Sequence, residues 1–163
     1  MPLQHPVPDE HLKHIGDVTV SFAVLESQLQ TLTQSLLGSG QRLGQIVTAE
    51  LSFKALRALS VSLYIQRNGD DEDTEAFRSL IKRAADVEEH RNQIVHSVWG
   101  AGNGASSITR IKTTAKERHG IRFHFENVST EQLAAFARQI KELADDLQQF
   151  WFKLLEAGKA TNG

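Results

Sequence analysis

Between Ile15 and Leu36 the apolar residues Ile15, Val18, Phe22, Leu25, Leu29, Leu32 and Leu36 recur at alternating three- and four-residue intervals. Only an α-helix brings such a series onto one side, as a single narrow stripe. A helix of that length gains most of its stability by packing the stripe, so the rest of the chain must supply partners. It does. Phe53, Leu56, Leu59 and Leu63 form a second stripe, and Phe77, Leu80, Ile81, Ala84, Val87, Val95 and Val98 a third. A wider one runs from Leu133 and Phe136 through Ile140, Leu143, Leu147 and Phe150 to Leu154. Gly38-Ser39-Gly40 ends the first helix, and a short helical piece covers 41–49. Gly69 ends the second helix, and the acidic run 70–73 reads as a solvated cap opening the third. The third helix is expected over 74–99. The glycine-rich run 100–104 that breaks it lacks the flanking strand and helix of a phosphate cradle, so it reads as a linker. Ser129-Thr130-Glu131-Gln132 has the form of a capping box opening the last helix.

From Ser107 the period changes from 3.6 to 2. Ile121, Phe123 and Phe125 alternate with Arg122, His124 and Glu126, as in a half-buried strand, and 107–115 is its partner. Gly120 supplies any positive φ at the turn. A lone hairpin is marginal in water, so its apolar face is expected on the helices or on another subunit. The fold class is therefore mainly α: an up-and-down bundle of four principal helices with a β-hairpin, 105–128, inserted before the last.

The 163 residues fit one domain, 1–163, with an extended lead-in over 1–8, where all three prolines lie, and a frayed tail over 158–163. A net charge of −2 means that any binding of nucleic acid must come from a local patch. The chain has no cysteine, so thiolate metal sites and disulfides are excluded. No apolar run approaches the ~18 residues of a membrane span, and the first residues lack the pattern of a signal peptide, so a cytoplasmic protein is expected. His11 and His14 have a spacing that metals use, but no third ligand accompanies them, and no metal or cofactor is expected.

The chemistry concentrates in Glu88-Glu89-His90-Arg91-Asn92-Gln93-Ile94-Val95-His96. Arg91 occupies a stripe position between Val87 and Val95. A charged residue there needs a carboxylate, a partner chain or an anionic ligand, and Glu88 and Glu26 are candidate carboxylates. Asn92 and His96 share a separate face with Glu89. An imidazole moves protons near neutrality, and a guanidinium grips phosphate through paired hydrogen bonds. Arg91 and His96 are thus a minimal set for RNA cleavage, the His moving the proton of a 2′-hydroxyl or leaving oxygen. Five residues at about 100° each leave them some 140° apart on an ideal helix, so a composite site needs a distortion or a second copy across a two-fold axis.

Arg91-Asn92, three residues and His96, late in a long helix of an all-helical bundle, resembles the Arg-x4–6-His motif of the HEPN superfamily. The resemblance implies a metal-independent endoribonuclease, usually a homodimer joined through the motif helices, with Arg91 and His96 catalytic. Asn92 would orient His96 or contact the phosphate, and Glu88 and Glu89 would support the site. It also implies toxin–antitoxin, defence or RNA-processing contexts, including an antitoxin or nucleotidyltransferase partner. The alternative is a non-catalytic HEPN-like module that binds RNA, nucleotide or protein. Beside the motif, the stretch from Arg110 to Arg122 carries Arg110, Lys112, Lys116, Arg118 and Arg122 against one acid, Glu117. These cations read either as a strand edge in water, with both Phe facing the core, or as an RNA-backbone contact with Phe123 and Phe125 stacking on bases.

Overall fold

The computed structural model describes residues 5–103, 107–116 and 120–161, with only the backbone of 115 and 116. Five helices, α1 (Asp9–Leu37), α2 (Gln41–Ala49), α3 (Phe53–Asn68), α4 (Thr74–Val95) and α5 (Thr130–Glu156), accompany three strands, β1 (Val98–Ala101), β2 (Ser107–Lys116) and β3 (Gly120–Ser129). The protein is mainly helical with a small antiparallel sheet in the order β1-β2-β3. The described residues form two compact units, one of residues up to Ser21 with 89–139, the other of 22–88 with 140–161.

The second unit is built from the stripes. Leu25, Leu29 and Leu32 of α1, Leu56 and Tyr64 of α3, Phe77 of α4, and Leu143, Leu147 and Leu154 of α5 are fully or almost fully buried. Each such side chain contributes about 1.5–3 kcal/mol of transfer free energy. Phe22 meets Phe53 at 4.9 Å between ring centroids, and Phe77 lies 5.1 Å from Phe150 and 5.2 Å from Tyr64. The Ser52 side chain accepts from the Ala55 amide and caps α3.

The acidic run is solvated only in part: Asp70 and Glu72 are exposed, while Asp71 accepts from the Asp73 amide and the Thr74 hydroxyl at the start of α4. Asp73 is buried, and its carboxylate accepts from Lys153 and from Lys159, the latter at 2.7 Å. Asp71 accepts from Lys159 at 2.8 Å and from the Tyr64 hydroxyl at 2.7 Å. Buried Asp73 beside half-buried Asp71 calls for cations, and the segment after α5 delivers one of them. The expected fraying from Lys159 onward is therefore absent through Thr161. Ala160 is buried, Asn68 donates to the Lys159 carbonyl, and the Thr161 amide and hydroxyl both donate to the Ser35 carbonyl.

In the first unit, α4 stops at Val95 rather than continuing to Trp99. The reason is local: Ser97 Oγ donates to the Gln93 carbonyl, and Trp99 Nε1 donates to the Ile94 carbonyl at 3.1 Å. Side chains thus satisfy carbonyls that a further helical turn would have used. The chain turns straight into β1, so the run expected to end a helix as a linker is partly a third strand, with Val98 opposite Ile111 and Ala101 opposite Ile108. The capping box forms as expected: the Ser129 amide donates to Gln132 Oε1 at 2.8 Å, and the Gln132 amide to Ser129 Oγ at 3.2 Å.

The hairpin pairs as expected, but its apolar strand face is reversed. Buried Ile108 and Val128 are register partners and form the inward face. Ile121, Phe123 and Phe125 have the opposite parity and lie open, 60–69% exposed. One residue of phase decides which face is covered.

Candidate functional site

The motif occupies the last turn of α4 and the corner into β1. Arg91 and Asn92 are half-buried, and His96, the first residue beyond the helix, is exposed. The His96 amide donates to the Asn92 carbonyl at 3.0 Å, so helical geometry runs through His96 without distortion. Arg91 and His96 therefore leave the helix in directions about 140° apart, and one chain does not bring them to one atom. Glu88 pairs with Arg57 of α3 at 2.8 Å, both side chains being largely buried. Glu89 is exposed and accepts from Gln93 at 3.4 Å.

The hairpin cations divide. Arg110 is only 14% exposed; it pairs with Glu126 and donates to Gln93 Oε1 at 3.1 Å. It ties β2 to β3 and to α4 and is committed inside the unit, contrary to the expectation that it contacts RNA. Lys112 and Arg122 are exposed. They lie on one face with His124, because Lys112 is opposite His124 and Thr114 opposite Arg122. The Lys116 side chain and all of Arg118 lie outside the described residues, as does part of the expected turn. Phe123 and Phe125 are on the face opposite these cations. Both alternatives read from sequence assumed otherwise: the rings do not face the core, and among the described residues they do not share a face with Arg110, Lys112 or Arg122.

A cavity of about 320 Å³ went unforeseen. Ile94, Val128, Leu133 and Phe136 give it apolar walls, and His90 and Gln139 polar ones. The His90 ring lies 3.9 Å from that of Phe136. His90 is exposed as a residue, but desolvation of its ring, with the Arg110 charge second, lowers its pKa from the ordinary value. Arg110 is already neutralised by Glu126, so the cavity suits an uncharged planar group better than an anion. Its lining comes from α4, the sheet and α5, and no local pattern in the sequence joins them.

At the start of α5, the Glu131 carboxyl is held below its usual range by backbone and hydroxyl donors of the helix N-terminus. His11, in the same unit, is 2% exposed, and neither ring nitrogen has a hydrogen-bond partner among the described residues. Among the described residues no group of three or more His, Asp or Glu has the arrangement of a metal site. No described helix is long and apolar enough to cross a membrane. Comparison of the chain with protein-family models, curated proteins and solved structures found no match.

Proposed function

We propose that the chain is a HEPN-like helical bundle of the up-and-down kind that cleaves RNA without a metal, at a composite site formed by two copies in the cytoplasm. The observation that carries this reading is the corner at the end of α4. An exposed imidazole, His96, stands there directly after a turn bearing half-buried Arg91 and Asn92. One copy separates Arg91 and His96 by about 140°, and a two-fold pairing of the corners supplies the missing convergence.

In this mechanism the RNA 2′-oxygen attacks the neighbouring phosphorus and the 5′-oxygen leaves. One His96 takes the 2′-hydroxyl proton, or in its protonated form gives a proton to the leaving oxygen. Arg91 binds the phosphate and offsets the negative charge that builds on it. Asn92 orients His96 or contacts the phosphate. The products are a 2′,3′-cyclic phosphate and a 5′-hydroxyl. Lys112, Arg122 and His124 form the open cationic face that guides the RNA backbone, with Lys116 and Arg118 next to them in sequence.

The test is purified protein with generic single-stranded RNA in EDTA. Cleavage is expected, and His96→Ala should lower the rate about 100-fold or more while leaving the fold and oligomeric state intact. RNA left whole by the wild type across several sequences would instead favour a non-catalytic module that binds RNA, a nucleotide or a protein partner. The internal commitments of Glu88 and Arg110 are what favour that second reading.

A further inference from the structure

Sheet register places Val98, Ile111 and Phe125 in one row across the three strands, with Thr113 and Phe123 in the next and Ile121 beyond. All lie on the face opposite buried Ile108 and Val128. Val98 is 68% exposed, Ile121 66%, Phe123 60% and Phe125 69%. Together these four side chains leave roughly 400–500 Å² of contiguous apolar surface open. Single exposed hydrophobics are ordinary, whereas a patch of this size marks a surface that something covers.

The chemistry of the face narrows the occupant. Its described side chains are Val98, Thr109, Ile111, Thr113, Ile121, Phe123, Phe125 and Asn127, none of them charged. Single-stranded nucleic acid stacked on Phe123 and Phe125 would need cations beside the rings, and Lys112 and Arg122 point to the other side. A face without charge meets its own copy without like-charge repulsion, and a two-fold contact requires a surface to be complementary to itself. Size agrees as well. The apolar core with its Thr and Asn rim approaches the ~800 Å² per partner of a standard stable interface. A depression of about 440 Å³ beside Phe125, walled by Ile111, Thr109 and Asn127, offers a socket for a ring from the other copy.

We infer that the open face of the sheet is the homodimer interface, two copies stacking sheet on sheet through Val98, Ile111, Phe123 and Phe125. α4 packs against the other face of the sheet, where Arg110 donates to Gln93, so this contact is separate from the pairing of the α4 corners. The inference does not require RNA cleavage, and an inactive dimer leaves it intact.

Analytical ultracentrifugation of the full chain is expected to give a dimer at micromolar concentration. Phe123→Asp with Phe125→Asp should weaken association at least about 100-fold, with circular dichroism and thermal unfolding of the monomer preserved. Should that variant fail to fold, the absence of native cysteine provides a second route. Thr113→Cys, on the central strand, should be joined to its copy by a bis-maleimide spanning about 10 Å, the spacing of packed sheets. Thr114→Cys, on the opposite face, should not. A wild type that stays monomeric at 100-fold higher concentration (about 100-fold above micromolar) overturns the inference. So does a double variant that still dimerises, or equal cross-linking of both cysteine variants. A monomer whose binding to single-stranded RNA is lost on Phe125→Asp would assign the face to nucleic acid instead.

Discussion

Asp73→Asn removes one charge and keeps the shape of the side chain, which isolates the ion cluster between α4 and the segment after α5. In the native protein the Asp73 carboxylate is 5% exposed and holds two lysines. The two contacts are unequal. Lys153 is 61% exposed, so water competes for it and its contribution lies near the ~0–1 kcal/mol of a surface pair. Lys159 is 24% exposed and is shared with Asp71. A charge-assisted hydrogen bond contributes about 1.5–3 kcal/mol, but Lys159 keeps Asp71 after the substitution. The net cost should be about 1–2 kcal/mol, a fall in Tm of about 2–8 °C for a chain of this size. The acid limb provides a second readout. Lys153 and Lys159 hold the Asp73 carboxyl below its ordinary range, and Lys159 with the Tyr64 hydroxyl does the same for Asp71. The unfolded chain, with carboxyls near ~3.9, binds more protons in that region, so the stabilisation is complete above about pH 5 and lost as pH falls through 4 toward the folded values. Urea unfolding between pH 2 and 7 should show a shallower acid slope in Asp73→Asn, by up to about one proton. A variant that melts within ~1 °C of wild type and has the same acid slope would mean that the lysines are solvated and that the cluster adds nothing to stability.

Three further outcomes follow from the same physics. His11→Leu replaces a buried ring whose nitrogens lack hydrogen-bond partners among the described residues, and should raise the denaturant midpoint by the equivalent of about 1–3 kcal/mol without changing m. An NMR titration should place the His90 midpoint below the ~6.5 of a free imidazole. The neutral ring is favoured in the folded state, so its stabilisation is full above that value and is lost as pH falls toward the folded midpoint; His90→Gln should flatten stability in that window. Trp99→Phe deletes the donor to the Ile94 carbonyl, and should cost about 0.5–1.5 kcal/mol and speed amide hydrogen exchange at the end of α4.

The helices were legible because their signals are local and repeated. The α1 stripe, the break at Gly38 and the reciprocal Ser129–Gln132 bonds all stand where periodicity and capping chemistry put them. Gly120 has φ +65°, the left-handed backbone the hairpin turn was expected to draw from it. What escaped depends on one residue of phase or on partners far along the chain. Val98 and Trp99 continue a helical series until the side chains of Ser97 and Trp99 turn back onto the helix, a choice that spacing alone does not express. Ile108 and Val128 fix the buried side of the sheet against the louder alternation of Ile121, Phe123 and Phe125. The burial of Asp73 is decided 80 and 86 residues away, at Lys153 and Lys159. The motif was legible as residues but not as a site, since its two key groups diverge on one helix.

The stitching of Ser35 to Thr161 has a consequence in time. The bond spans 126 positions, and at about 5–20 residues per second a ribosome needs roughly 6–25 s to supply the second half of it. For most of that interval Asp71 and Asp73 have been made and neither lysine has. The corner holding Asp71 and Asp73 acquires its countercharges only as Lys153 and then Lys159 are added.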